Sequence, residues 1–340
     1  MDCGGRALLA GDLFEPLAVM PEAGPPRTAA AWPVKQLLLV LGLVATAYAA
    51  ALLVWGDGPQ TSLAVLWSWT GAQAAALCLL NYGLRGLRWR FWMAQMDRSF
   101  GWLEGLRLYW AGYAFTPTPG NVGEALRGLM LARKPLSTAQ SLAIFGAERL
   151  ADLLCLLLLC LPALAWVLSR WGHGAVQAIP EVAAVVVGLA LAGALLVAIG
   201  VATLLRYRVR LLQRFAWLLD AWCCLSVRPL VWFALTLTAW AAQGVAVWLI
   251  CRALAVHLSV LTATAFYAVA MVAGALSALP AGLGGTEAVL TGLLVAQSAT
   301  PATALSITVL ARLLTLWLAV AIGWVALLYS AAIRKDIRFS

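Results

Sequence analysis

Six charged side chains stand in or beside apolar runs that should exclude them: Glu124, Glu148, Arg149, Asp152, Glu287 and Arg312. They are patterned. Glu124 precedes Arg149 by 25 residues, and Glu287 precedes Arg312 by the same 25. In IFGAERLADLLCLLLL, Glu148 and Asp152 are four residues apart and share one helix face, with Arg149 offset by about 100°. The chemistry open to such a set is ionic. Carboxylates and guanidinium groups pair with one another, or the arginines hold an anion through charge-assisted hydrogen bonds. A charge at the centre of a bilayer costs at least about 2.5–3.5 kcal/mol on insertion scales, so these groups must face a polar interior.

Both outlying glutamates sit in broken, glycine-rich turns. Pro119-Gly120-Asn121-Val122-Gly123-Glu124 compares with Pro280-Ala281-Gly282-Leu283-Gly284-Gly285-Thr286-Glu287 across a two-residue insertion. A half-helix beginning near Val122 or Thr286 points unpaired N–H groups inward and makes an anion site. Gly120, Gly123, Gly282, Gly284 and Gly285 would let a phosphate come close to the backbone. Asn121 and Thr286 share these turns, and Arg127, Arg149 and Arg312 add cationic donors. Three alternatives stand beside this reading. The glycines serve close helix packing, Glu124 and Glu287 cap the N–H groups or bind a coupling proton or cation, and the Glu148–Arg149–Asp152 set is a structural salt-bridge cluster.

The elements that position these groups follow from composition. Of 340 residues 64% are hydrophobic and 11% charged, with mean hydropathy +0.91, whereas soluble domains carry about 25% charge. Disorder and an outer-membrane barrel are excluded by the low charge and by the missing strand-length alternation. The expected fold is an all-α polytopic membrane protein. Long apolar runs place about six full spans at 36–55, 62–83, 138–168, 181–205, 230–251 and 305–331, each near the roughly 20 residues a bilayer helix needs. Two further stretches, 103–133 and 259–299, are apolar arms broken by Pro and Gly, and read as re-entrant hairpins or full crossings, with 259–279 alone long enough to span.

Orientation comes from the arginines. The net charge is +9, in short clusters beside apolar runs rather than in one patch, so nucleic acid is not an expected partner. Arg85, Arg88, Arg90 and Arg98 read as a cytoplasmic anchor, as do the basic end of the chain and an interfacial helix over about 206–228. Both termini are thus expected in the cytoplasm and the protein in the plasma membrane. Residues 1–33 read as a cytosolic tail, 34–332 as one membrane domain and 333–340 as a short basic tail. The parity of crossings makes repeat units 34–168 and 181–331 oppositely oriented, the inverted arrangement common in secondary transporters. Seven cysteines without ligand spacing, with His173 and His257 alone, lead to no expected disulfide, metal or cofactor.

The order Pro119-Gly120-Asn121-Val122-Gly123-Glu124-x-x-Arg127, Glu148-Arg149-x-x-Asp152, Pro280-x-Gly282-Leu283-Gly284-x-x-Glu287 and a late Arg312 resembles the flippase-like family. That family contains the membrane domain of lysylphosphatidylglycerol synthase and its stand-alone relatives, and the resemblance runs from about 36 to 331. It implies a lipid translocase, with a membrane lipid as substrate and lipid-synthesis enzymes as potential partners. In the synthase a separate soluble domain attaches the amino acid; this chain stops soon after its last expected span, so that aminoacyl-transfer chemistry is not expected here. Two departures bear on headgroup choice: Asn121 replaces an expected basic residue, and Ala281 interrupts a Pro-Gly-Gly run. The expectation is therefore translocation without catalysis. A membrane transferase acting on a lipid or polyprenyl phosphate, and a non-catalytic subunit of a lipid-synthesis or export complex, are the alternatives.

Overall fold

The computed structural model describes residues 46, 48, 50, 54, 58–96, 98, 101–128, 136–175, 216–277 and 279–339. The chain divides into two compact units at Ala47/Tyr48, and the second, Tyr48–Ser340, carries both broken stretches and all six outlying charges. Every regular element among the described residues is helical, and polar caps mark where several begin. Ser68 accepts from the Gly71 N–H at the start of the long helix Trp69–Gln95 (α2), which follows the short helix Pro59–Ala64 (α1) and a 3₁₀ turn. Ser137 and Gln140 form a reciprocal capping box for the 38-residue helix Thr138–Ala175. Ser259 and Thr300 do the same work with their hydroxyls for Val260–Leu276 and Pro301–Arg312. Capping satisfies backbone donors that apolar surroundings would leave stranded.

Both broken stretches are broken in the structure. The first runs as helix Trp102–Ala111 (α3), a 3₁₀ turn Gly112–Phe115, and a second 3₁₀ segment Pro119–Gly128. It leads into Thr138–Ala175 (α4). No α-helix starts near Val122; the ten residues from Pro119 wind as 3₁₀ instead. The second break is Val260–Leu276 (α7), a 3₁₀ turn Pro280–Gly282, and helix Gly285–Ala296 (α8), whose start agrees with the expected half-helix near Thr286. Between α4 and α7 the described elements are Ala216–Ser226 (α5), inside the expected interfacial helix, and Pro229–Ala253 (α6). The chain ends in Pro301–Arg312 (α9), a π-helical turn Leu313–Trp317, and Leu318–Phe339 (α10).

Two described helices are each long and apolar enough to cross a bilayer, Pro229–Ala253 with mean hydropathy 1.6 and Pro301–Ser330 with 2.1. They match the expected spans 230–251 and 305–331. Residues 62–83 lie in a pair of helices bent by 63°, a third candidate if the pair is one span. Residues 138–168 lie within α4. The expected span 181–205 is outside the described residues, as is 36–55 apart from Thr46, Tyr48, Ala50 and Val54. The 17-residue α7 is about 25 Å long, at the short edge of spanning length.

Packing is reciprocal. Helices α2 and α6 lie against each other through their buried faces, where Asn81 Nδ2 donates to the Ala239 carbonyl at 2.7 Å. Helix α4, which follows the first broken stretch, packs on α7 of the second; α10, which follows the second, packs on α3 and the 3₁₀ turn of the first. The two turns, Pro119–Gly128 and Pro280–Gly282, also touch. Gly323 makes the α10 contact: a Cβ there would lie 2.3 Å from the Ala114 nitrogen.

Candidate functional site

The first broken stretch carries a buried ionic cluster that gathers side chains from four helical elements. From α4, Asp152 accepts from Arg85 Nη2 at 2.8 Å and from Arg88 Nη1 at 2.7 Å, both on α2. Trp240 Nε1 on α6 donates to the same carboxylate at 3.2 Å, and Thr236 accepts from Arg88 Nη1 at 2.9 Å. One turn earlier on α4, Glu148 accepts from Arg127 Nη2 at 3.0 Å and has Arg88 Nη2 at 3.9 Å. Arg127 also bonds the Glu124 carboxylate at 3.0 Å and, through Nε, the Glu124 carbonyl at 2.8 Å. Arg149 Nη2 reaches Glu124 at 3.3 Å and Asp152 at 3.4 Å. Thr116 donates to the second Glu124 oxygen at 2.9 Å.

Aromatic faces close this set. Arg85 lies over Trp240, Arg127 over Tyr109 at 4.4 Å from the ring centre, and Arg149 over Phe145. Arg88 is fully buried and Arg85, Arg127, Glu124, Glu148 and Asp152 nearly so, whereas the Arg149 side chain is 31% exposed. A cavity of about 10 Å³ beside Glu124, Arg127 and Glu148 has room for about one water.

The second turn holds a smaller and separate set. Arg312 donates from Nε to Glu287 at 2.6 Å and from Nη2 to the Ala281 carbonyl at 2.8 Å. The other Glu287 oxygen takes the Gly284 N–H at 2.6 Å, capping α8, and Tyr48 donates its hydroxyl to Glu287. Glu287 thus caps the N–H groups, one of the alternatives its sequence position left open. Thr286 is buried with its hydroxyl packed against Gly274, where an added Cβ would lie 2.0 Å away.

The candidate residues therefore fall into two groups. Glu124, Arg127, Glu148, Arg149 and Asp152 come together; Glu287 and Arg312 form their own pair. Each glutamate meets the arginine 25 residues later. The glycines act first as backbone. Gly282 and Gly284 have φ of +66° and +85°, and Ala281 is held at +54° and Asn121 at +56°. A Cβ on Gly123 would sit 2.6 Å from that of Phe115, and one on Gly285 would lie 3.1 Å from Ser277. Gly120 lies in the same 3₁₀ segment as Asn121.

A family model described as the lysylphosphatidylglycerol synthase TM region matches residues 39–323. The chain belongs to that family. Among curated proteins and among solved structures nothing matches it. Membership in the lysylphosphatidylglycerol synthase TM family agrees with the apolar helical architecture: this is a helical membrane protein of a family linked to lipid handling.

Arg85 and Arg88 are functional-site neighbours that the sequence assigns elsewhere, to a cytoplasmic anchor. In the structure they are buried partners of Asp152, so that part of the anchor reading is corrected. The reason is helical phase. Asn81, Arg85, Arg88 and Trp92 recur at four, three and four residues and form one buried face, whereas Arg90 lies off it against Trp102. That spacing is the signal that identifies them.

Proposed function

We propose that this protein moves a polar-headed, phosphate-bearing lipid between the leaflets of the plasma membrane, and that it acts as a carrier and not as an enzyme. One observation supports the reading above the rest: a buried seven-charge cluster at a broken helix, with Arg149 reaching the exposed side of α4. The phosphate exchanges with carboxylates among the arginines, while the acyl or prenyl tails stay in the bilayer. Keeping them there avoids a cost of about 0.8 kcal/mol for each CH₂ drawn along a polar path. Every carboxylate of the cluster is already committed to two or more basic or hydroxyl partners, an arrangement suited to exchange of ion pairs.

The two halves are read as an inverted repeat with both termini cytoplasmic. Support comes from the matched Glu–Arg pairs and from the reciprocal packing of α4 on α7 and of α10 on α3.

Proteoliposomes carrying fluorescent phosphatidylglycerol or phosphatidylcholine test the reading. Wild type should exchange at least one of these lipids faster than empty vesicles. Arg149→Ala should lose on the order of tenfold in rate, the equivalent of one charge-assisted bond. Exchange no faster than in empty vesicles for every lipid offered overturns translocation. Formation of a covalent product from lipid and a donor would make the protein a transferase.

A further inference from the structure

The two turns, alike in sequence, differ in charge. Around the first, Arg85, Arg88, Arg127 and Arg149 face Glu124, Glu148 and Asp152, a surplus of one positive charge among the described residues. Around the second, Arg312 and Glu287 balance, and the remaining Arg312 bond goes to a backbone carbonyl. The surplus has unspent donors. Arg88 Nε and Nη2, Arg85 Nε and Arg149 Nε are buried nitrogens without a hydrogen-bond acceptor, and Arg88 is fully buried while Arg85 is 7% exposed. Leaving such donors unmet is costly, and a charged acceptor meets them best.

The way in is also visible. Leu150, Leu153, Leu154, Leu157, Leu158 and Leu161 form an exposed, leucine-lined side of α4. Arg149 is the cluster member at the border of that stripe, and it alone of the seven is substantially exposed.

We infer that the first turn, and not the second, binds the headgroup, and that it selects a lipid whose headgroup carries one net negative charge as a phosphodiester, admitted sideways from the bilayer past Arg149. This rests on the reading of the cluster as a headgroup site. One phosphodiester charge cancels the surplus. A zwitterionic headgroup carries no net charge and leaves the surplus uncancelled. The neighbouring cavity is water-sized, so the phosphate must displace Glu124 from Arg127 and Arg149, which makes Glu124 the resident counter-ion that the lipid replaces.

The test is lipid retention by the purified full chain in detergent, measured by native mass spectrometry with equimolar phosphatidylglycerol and phosphatidylcholine. Wild type should retain phosphatidylglycerol on the order of tenfold more, one charge-assisted bond's worth. Arg149→Gln should erase the preference and Arg149→Lys should keep much of it. Arg107→Gln, which removes a cation stacked near Tyr329 and outside the cluster, should leave it unchanged. Equal retention of both lipids by wild type, or loss of preference in Arg107→Gln as readily as in Arg149→Gln, overturns the inference. Thermal stabilisation by inorganic phosphate at constant ionic strength, without stabilisation by phosphatidylglycerol, would assign the site to a soluble anion and equally overturn it. The two readings fail separately. A preference without leaflet exchange removes translocation and keeps this site; exchange of both lipids at equal rates without preference does the reverse.

Discussion

At the scale of single residues, burial decides what each ion pair is worth. Asp152 neutralises Arg85 and Arg88 where almost no solvent reaches, and removing one partner of a buried pair costs about 3–5 kcal/mol because the other charge is stranded. Asp152→Asn should therefore lower the midpoint of thermal unfolding in detergent sharply, with loss of the monodisperse peak in size-exclusion chromatography. Arg149→Gln should not, because its partly exposed guanidinium is screened and its partners keep other arginines. A fall in stability equal to that of Asp152→Asn would contradict this ordering. The same contrast explains what was legible in sequence. Glu148, Arg149 and Asp152 stand out because charge is scarce in a leucine run. Arg85 and Arg88 do not, because they follow an apolar span and so look like an anchor until their helical phase is counted.

At the scale of elements, the breaks were legible and their winding was not. Pro and Gly in an apolar run announce that a helix stops, yet nothing in Pro119–Gly128 signals ten residues of 3₁₀, a conformation rarely kept beyond three or four. That choice is made by tertiary contact, with Gly123 pressed against Phe115 and Thr118 donating its hydroxyl to the Phe115 carbonyl. Gly123→Ala should accordingly destabilise the protein by about 1–3 kcal/mol, as overpacking does, measured by denaturation in detergent. Ala281 is the opposite case. It holds φ of +54°, where an L side chain costs roughly 1–2 kcal/mol and glycine does not. Ala281→Gly should raise stability by about 1 kcal/mol without altering lipid retention. A loss of stability would show that its methyl group packs more usefully than its backbone is strained.

At the scale of the whole membrane unit, neither half completes its own core. The helix after each broken stretch covers the broken stretch of the other half, and α2 lies against α6. Severing the chain after Ala175 should give two fragments that co-purify when expressed together and are degraded when expressed singly. Stable, separately folded fragments would contradict the reciprocal packing. The last helical rod carries a heavy share of this arrangement, since Arg312 serves the Pro280–Gly282 turn and Gly323 packs on the Gly112–Phe115 turn. Eleven residues of regular α-helix would bring those two positions back to within about 20° of each other, both aimed at one neighbour. The π turn at Leu313–Trp317, with two of its carbonyls taken by the Tyr82 hydroxyl, absorbs one residue and swings the later part of the helix by about 100°. A single rod thereby addresses two partners. Inserting one more residue into a regular helix would achieve no such hold, because only the widened turn leaves carbonyls free for Tyr82. The bulge is a splitter of angular address, and it lets one helix hold a segment of each broken stretch on different sides of its axis.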